Sequence, residues 1–454
     1  MDTSDLPKVG FIGLGAMGFA MSTHLVRVGF PVIGYDIFTA TVERWQSACK
    51  EIPSSRATVA SSPAETVKSA DIVLLMVANH HHVHSALFDE KVGAVHRLPK
   101  DVTVVINATI PPTQPAEVRR RLTEEFGRGD VKLVDCPVSG GVARSTNGTL
   151  TMMLAADDAA ILKQSQVQQV LKAVASEGKT LYTIPGGLGA GQSAKALNQV
   201  QAGIHIVSAS EIMGLAAVLG ADTQAFFDYL TSSDDSQASK KVVGWTWMFE
   251  NRGPRMLSAT PPLASMTLII HKDVGIIDAE EKRLNIELPL LNKAFDYLNV
   301  VMETDAKADD SIIVQHYLGK GSSKQDLVVE SVGRKANDQP KLERALAKCN
   351  AIIHLNSAFE TIKFSESLDL TGPEQRRQWF SIISGAAGGS TVFSEVIPLA
   401  FADEDGVEAA FKKYAKDKYG EEALNTAVSL DSCSLRYADF EAEIDCGGRQ
   451  GERL

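Results

Sequence analysis

Lys195 and Asn198 stand three residues apart in the run Gly189-Ala190-Gly191-Gln192-Ser193-Ala194-Lys195-Ala196-Leu197-Asn198, which opens a long apolar helical pattern reaching about residue 219. That spacing puts both side chains on one helix face. A lysine carried on so apolar a helix is partly desolvated, which lowers its pKa and lets the amine exchange a proton near neutral pH. A stem lying along apolar surface with its ammonium in water accounts for the same residues without chemistry. A second lysine, in His271-Lys272-Asp273, ends the apolar run Leu268-Ile269-Ile270 of another helical stretch, where an ordinary charged helix face is the plain alternative.

The N-terminus offers a partner for electrons. Gly13-Leu14-Gly15-Ala16-Met17-Gly18 has glycines at G-x-G-x-x-G spacing where an apolar run, residues 8–14, gives way to a helical pattern over 16–28. In that context Gly13 permits a tight turn, Gly15 lets backbone approach a pyrophosphate, and Gly18 lets helix and strand pack closely. The helix N-terminus adds unpaired N–H groups for the anion. The next run, 31–35, ends at Asp36, whose carboxylate can accept hydrogen bonds from the adenosine ribose hydroxyls and would repel a 2′-phosphate. NAD is therefore expected rather than NADP. A glycine turn without a ligand is the alternative, and the coincidence of strand, helix and acid argues against it. A third constellation is Asp135-Cys136-Pro137-Val138-Ser139-Gly140-Gly141: consecutive backbone N–H groups there could form a nest for a carboxylate, or merely a strand-to-loop turn.

The elements that must position these groups are strands alternating with helices. Apolar runs at 72–77, 102–106 and 132–136 are separated by helix-like stretches such as 63–69 and 115–126, which predicts a parallel sheet covered on both faces.

The glycine fingerprint, Asp-x-Pro-Val-Ser-Gly-Gly, Gly-x-Gly-x-x-x-Lys-x-x-Asn and Lys-Asp, taken in that order over residues 8–319, resemble the motifs of the β-hydroxyacid dehydrogenases. The resemblance implies an α/β N-terminal Rossmann domain with a parallel sheet (1–185), an all-α substrate and catalytic domain (186–320), and an active site between them. It implies that Lys195 is the acid/base and that Asn198 holds substrate or lysine in place. Ser139, Gly140 and Gly141 would then bind the substrate carboxylate, and Lys272 would lie against cofactor and substrate. Thr109, in Asn107-Ala108-Thr109-Ile110-Pro111, is similar to the family's Ser-Thr-Ile-x-Pro segment beside the nicotinamide, although Asn107 stands near where the family carries an acid. The implied cofactor set is Gly13, Leu14, Gly15, Ala16, Met17, Gly18, Asp36, Thr109 and Lys272. The implied chemistry is hydride transfer between a small hydroxy acid and the nicotinamide, with the hydroxyl proton passing to Lys195. Residues 247–256 most resemble the L-threonate branch, which favours a four-carbon sugar acid. Residues 232–241 depart from the family's Gly-Ala-Ala-Gly-Ser pattern and insert Lys240 and Lys241, which would alter a pocket wall. Arg252 and Arg255 either contact substrate oxygens or form exposed ion pairs. A homodimer is the family expectation.

Net charge over the 454 residues is −11, which offers no basic footprint for nucleic acid. No apolar run approaches the ~20 residues of a membrane span, the glycines deny the N-terminus a signal-peptide core, and five scattered cysteines fit reduced thiols in a cytoplasmic protein. His80, His81, His82 and His84 read as a cofactor-rim loop, and no metal is expected. Residues 321–454 exceed the family's ordinary length. Residues 319–340 read as a linker, followed by a degenerate α-helical repeat: His354-Leu355-Asn356-Ser357-Ala358-Phe359-Glu360 resembles His205-Ile206-Val207-Ser208-Ala209-Ser210-Glu211. Matching the histidines puts Arg344 at the place of Lys195 and Ala347 at that of Asn198, so the copy has lost the chemistry. It keeps Ser384-Gly385-Ala386-Ala387-Gly388-Gly389-Ser390, the glycine-alanine motif missing from the first copy. The expectation is a second helical half-domain packed on the first, as in 6-phosphogluconate dehydrogenases. The acidic stretch from Asp403 reads as a solvated helix. Rival readings are a decarboxylating phospho-sugar dehydrogenase, which would need a basic phosphate clamp, and a cofactor-binding pseudoenzyme, against which Lys195 and Asn198 argue.

Overall fold

Period-two alternation divides the N-terminal strands between two apolar cores. The computed structural model describes residues 6–232, 241–403 and 406–419. Its strands are β1 (Val9–Ile12), β2 (Val32–Tyr35), β3 (Ala57–Val59), β4 (Ile72–Leu75), β5 (Thr103–Ile106), β6 (Lys132–Asp135), β7 (Val138–Ser139), β8 (Thr151–Ala156) and β9 (Leu181–Thr183). Val9, Phe11, Ile72 and Leu74 enter one core while Ile12, Val73 and Leu75 enter the other. Such strands are buried on both faces, which requires helices on both sides. The sheet order is β3-β2-β1-β4-β5-β6-β8-β7, with β9 beside β8. The first six strands are parallel, and β8 runs antiparallel to β6 and β7. Strand order reverses between β1 and β4, and a crevice forms beyond the strand ends at such a switch point. The N-terminal part is thus the Rossmann-type sheet that the sequence predicts.

The periodic runs at 8–14, 31–35, 72–77, 102–106 and 132–136 all contain strands, with ends drawn in by one to three residues. The edge strand β3, with one side chain half-buried and two exposed, carries too little apolar pattern to be read. Helix Thr39–Lys50 buries only Trp45 and Cys49, one turn apart, for the same reason.

The helical part is built round Ala190–Val218, a 29-residue helix buried on nearly every side. A helix apolar all round belongs in the middle of a fold. By length and composition it could cross a membrane, contrary to the expectation that no run reaches that size, but 83% of its most apolar window is buried inside the protein. Against it pack Trp247–Met256, Thr267–Leu284, Pro289–Asp305 and the second long helix, Gln339–Ser367. One continuous core joins Leu197, Val200 and Ile204 to Ile353, Trp379, Phe393 and Tyr414. The C-terminal region therefore shares its apolar interior with the helices before it.

Two expectations fail here. Residues 319–340 are not a free linker: they include the short helix Leu327–Glu330, Val328 is buried, and the Thr223 hydroxyl donates to the Val328 carbonyl at 2.7 Å. Glycine and serine content concealed the apolar Leu327-Val328-Val329 triplet. The helix after Asp403, Val407–Tyr419, is solvated on one face only, because Ala410, Phe411, Tyr414, Ala415 and Tyr419 are buried against the preceding helices.

Candidate active site

The turn after β1 is shaped by what a side chain would strike. Gly13 has φ +97°, and a Cβ there would meet the Met76 carbonyl oxygen at 2.3 Å; on Gly18 it would meet the Gly13 oxygen at 1.9 Å. On Gly15 it would meet nothing within 4 Å, so backbone is presented to open space at the start of helix Ala16–Arg27. Asp36 closes the turn from β2, accepting from the Leu14 N–H at 2.7 Å and from the Phe38 N–H at 3.0 Å. Ile37 and Phe38 beside it are 78% and 70% exposed, an apolar shelf at the adenosine end. These residues fit a dinucleotide: glycines where a pyrophosphate must approach, a carboxylate at the end of the second strand, and exposed apolar side chains beside it. Met17 lies under Ser145, whose hydroxyl reaches its sulfur at 3.4 Å, so the turn adjoins the segment after β7.

Asp135, at the end of β6, fixes the helix that carries Lys195. Its buried carboxylate accepts from the Gly189 N–H (3.2 Å), the Gln192 N–H (3.0 Å) and the Gln192 side-chain amide (2.8 Å). A carboxylate at a helix N-terminus is favoured by the unpaired N–H groups and the dipole. Burial nevertheless wins, and pushes its pKa up to about 7. Gln192 also accepts from the Ile110 N–H and donates to the Ala108 carbonyl, tying the Thr109 loop to the same helix. Asn107 is fully buried and donates to the Cys136 carbonyl at 2.9 Å, a bridge between β5 and β6 rather than a group aimed at a ligand.

One turn farther on, Lys195 and Asn198 meet at a single acceptor. The Lys195 amine and the Asn198 amide each donate to the Gln199 side-chain oxygen at 2.8 Å, and Gln199 donates in turn to Asp273 at 2.6 Å. Asp273 is shared with Lys272 at 2.7 Å, and the Lys272 amine also reaches the Thr109 carbonyl at 3.2 Å. Lys195, Asn198, Lys272 and Thr109 thus lie along one polar chain. Burial lowers the Lys195 pKa to about 8; Asp273 pulls it up and Lys272 presses it down. An amine so placed keeps one N–H on Gln199 while its lone pair takes a proton.

The Ser139-Gly140-Gly141 turn has φ +136° at Gly140 and +65° at Gly141, both of one sign rather than the alternating hand of a backbone nest, so it turns the chain sharply after β7. A Cβ on Gly140 would strike the Arg144 side chain at 2.7 Å. Arg144 donates to the Thr149 carbonyl at 2.7 Å and to the Gly385 carbonyl at 3.4 Å, and burial lowers its pKa.

Several groups at this site escape sequence reasoning. Gln199 and Gln192 share the face of Lys195 at helical spacing, which is a signal, but their partners lie on β6 and a distant helix. Arg144 has no local signal at all, and Gly388 is marked only by its glycine-alanine motif, which does not tell where the loop will lie. Three candidates fall elsewhere. Arg252 and Arg255 are paired with Asp310 and Asp309 at 2.7 Å, and Arg252 and Asp310 are buried rather than exposed. Lys241 donates to the Thr231 carbonyl and pairs with Glu250 at 3.2 Å; Lys240 lies outside the described residues. The four histidines of 80–84 belong to helix His80–Phe88, capped by Asn79, just beyond β4.

A dinucleotide-binding sheet facing a buried lysine on a helical domain defines a nicotinamide-dependent oxidoreductase. Residues 8–184 match the model described as the NAD binding domain of 6-phosphogluconate dehydrogenase, and residues 189–317 match that described as NAD-binding of NADP-dependent 3-hydroxyisobutyrate dehydrogenase. L-threonate dehydrogenase from Cupriavidus necator is 32% identical over 314 residues, 69% of this chain and 96% of that protein. A solved 3-hydroxyisobutyrate dehydrogenase from Salmonella typhimurium aligns with TM-score 0.58 and 28% identity over 69% of this chain and 100% of that one. The chain belongs to the β-hydroxyacid dehydrogenase family, near its L-threonate branch, and is an oxidoreductase acting on CH–OH groups. The Plasmodium falciparum 6-phosphogluconate dehydrogenase covers 98% of this chain with TM-score 0.61 at 15% identity, a likeness of fold alone that extends over the C-terminal region.

Proposed function

We propose that the protein oxidises a small hydroxy-carboxylate, a four-carbon sugar acid of the L-threonate kind, with NAD as cofactor and Lys195 as the base. The observation that carries this reading is the buried Lys195 amine, lowered to about pKa 8 and tethered to Gln199 beside Asn198. Bound NAD supplies the hydride acceptor. The protein's part is positioning and proton handling: the Ser139–Gly141 turn holds the substrate carboxylate, Asn198 orients the hydroxyl, and Lys195 takes its proton. Gln199 accepts from the lysine in either protonation state, so one residue serves oxidation and reduction alike. Asp36 favours NAD over NADP, because a 2′-phosphate would meet its carboxylate. The L-threonate dehydrogenase relatives support a sugar acid before 3-hydroxyisobutyrate.

The test is reduced-nicotinamide absorbance with L-threonate, 3-hydroxyisobutyrate and 6-phosphogluconate, each with NAD and with NADP, for the parent and Lys195→Ala. Expected are turnover with L-threonate and NAD, none with 6-phosphogluconate, and a loss of about 10²–10⁴-fold in kcat for the variant, the usual weight of general acid–base catalysis. Cofactor affinity should stay within about threefold. Undiminished turnover in the variant would sink the mechanism.

A further inference from the structure

The two long helices, Ala190–Val218 and Gln339–Ser367, are each 29 residues and cross antiparallel, with Gln201 bonded to Thr361 and His205 to Ser357. His205 and His354, the residues the sequence repeat makes equivalent, meet edge to face with ring centres 4.5 Å apart. Beyond each helix a loop crosses to the other half, and the two loops meet symmetrically. The Trp247 N–H donates to the Gly389 carbonyl at 2.9 Å, and the Thr391 N–H donates to the Trp245 carbonyl at 3.2 Å. Thr246 and Ser390 form an antiparallel bridge, and each caps its own following helix by accepting from Phe249 or Phe393. A glycine from each loop lies against the opposite long helix. A Cβ on Gly244 would meet the Ala347 carbonyl oxygen at 2.4 Å; on Gly388 it would meet the Asn198 carbonyl oxygen at 2.9 Å and the Gln201 Cβ at 2.8 Å. Ala347 is the repeat's counterpart of Asn198. The loop contacts of one half are thus mirrored by the other, while the side-chain bonds between the long helices are not: His205 bonds Ser357, but His354 has no hydrogen-bond partner among the described residues.

The mirror fails also at the chemistry. Arg344, at the place of Lys195, is exposed, whereas the Lys195 helix faces the sheet through Asp135 and Gln192. Of the two crossing loops, the one from the second half therefore reaches the reactive cleft. Its Gly388 N–H donates to the Asn198 side-chain oxygen at 3.1 Å, and its Gly385 carbonyl accepts from Arg144, which packs on the Gly140 turn. The loop bridges the Gly140 turn and the lysine cluster.

We infer that residues 339–419 are a chemically silent second copy of the helical unit, turned about an internal two-fold, whose glycine loop works in the active site of the first copy, with Gly388 as a positioning residue for Asn198. Asn198 has one amide to orient. With its oxygen held by Gly388, its NH2 group faces Gln199, and the Gln199 oxygen is set to receive Lys195. Displacing the loop lets that amide rotate and loosens the lysine. This inference rests on the reading of Lys195 and Asn198 as the reaction centre.

The mirror supplies its own control. Gly388→Ala and Gly244→Ala introduce comparable clashes against opposite helices, and Asn350→Ala removes the 2.9 Å bond to the Gly244 carbonyl without a clash. Each is measured for melting temperature, NAD affinity, kcat and KM on the best substrate of the panel, and reductive methylation of Lys195 read by peptide mass. Gly388→Ala should lose at least about tenfold in kcat with NAD affinity held, and its Lys195 should methylate at least about threefold faster. The other two variants should keep kcat and labelling within about twofold, even where their melting temperatures fall as far. Equal loss of turnover in Gly244→Ala at equal melting temperature, or parental kcat and labelling in Gly388→Ala, overturns the inference. A parent without turnover defeats the proposed function instead, and the labelling contrast still decides the role of the loop.

Discussion

At Lys195 the sign of the pH dependence follows from which form does the work. Oxidation needs the neutral amine, so kcat/KM for the hydroxy acid should rise as pH climbs through about 8 and level off above it. Reduction needs the ammonium and should fall over the same interval. Asp273 is the group that holds this pKa up. Asp273→Asn should therefore move the rising limb to lower pH, and a limb that stays put would show that another group sets it. At the cofactor end, Asp36→Asn keeps an acceptor for only one of Leu14 and Phe38 and removes the charge. NAD affinity should drop about fivefold, the ~1 kcal/mol separating charged from neutral hydrogen bonds, while NADP affinity improves; titrating both cofactors checks it. Lys195, Asn198 and Asp36 were legible because helical spacing and a strand end define their places locally. Gln199 and Asp273 were not singled out, since their importance arises only when two helices 74 residues apart in sequence meet. Arg252 and Arg255 misled for the converse reason: nothing local announces that Asp309 and Asp310 bury them.

Among the elements, the crossing of the two long helices holds a pair of imidazoles with little to bond. His205 and His354 are both fully buried; among the described residues neither ring nitrogen of His354 has a hydrogen-bond partner, and His205 bonds Ser357 through one nitrogen only. Burial lowers the His205 pKa to about 3 and that of His354 well below its usual value, to which the neighbouring His205 adds. Both stay neutral when folded and become charged when unfolded below about pH 6.5, so the unfolded chain binds more protons there. Stability should be indifferent to this pair above pH 6.5 and fall by about 1 kcal/mol per pH unit per histidine below it. His354→Leu removes one of them. Comparing denaturation at pH 7 and pH 5.5, the parent should lose more stability than the variant; an equal loss would clear the pair. The motif around each histidine suggested that the two helices are related, but not the way they face, because antiparallel crossing leaves no periodic trace in either helix. Residues 319–340 show the same limit: composition signalled a linker, and only the partner surface turns Val328 into core.

For the molecule as a whole, the question is whether the C-terminal region can be removed. Its Ile353, Leu355, Phe364, Trp379, Ile382, Val392 and Phe393 lie in the same core as Leu197, Val200 and Ile204. Each such side chain contributes about 1.5–3 kcal/mol on burial, and whole domains retain only about 5–15 kcal/mol. Cutting the chain after Gly319 therefore removes more than the remainder can spare. It also uncovers the face of the Lys195 helix that carries Gln201 and His205, polar groups whose partners Thr361 and Ser357 leave with the cut. The truncated chain should aggregate, or expose apolar surface that binds a fluorescent dye, and should turn over no substrate even if the sheet still binds NAD. Light scattering and cofactor titration separate those outcomes. A monodisperse remnant with the parental melting temperature and kcat would make the region a passenger, and would remove both the shared core and the crossing loop from the account of this enzyme.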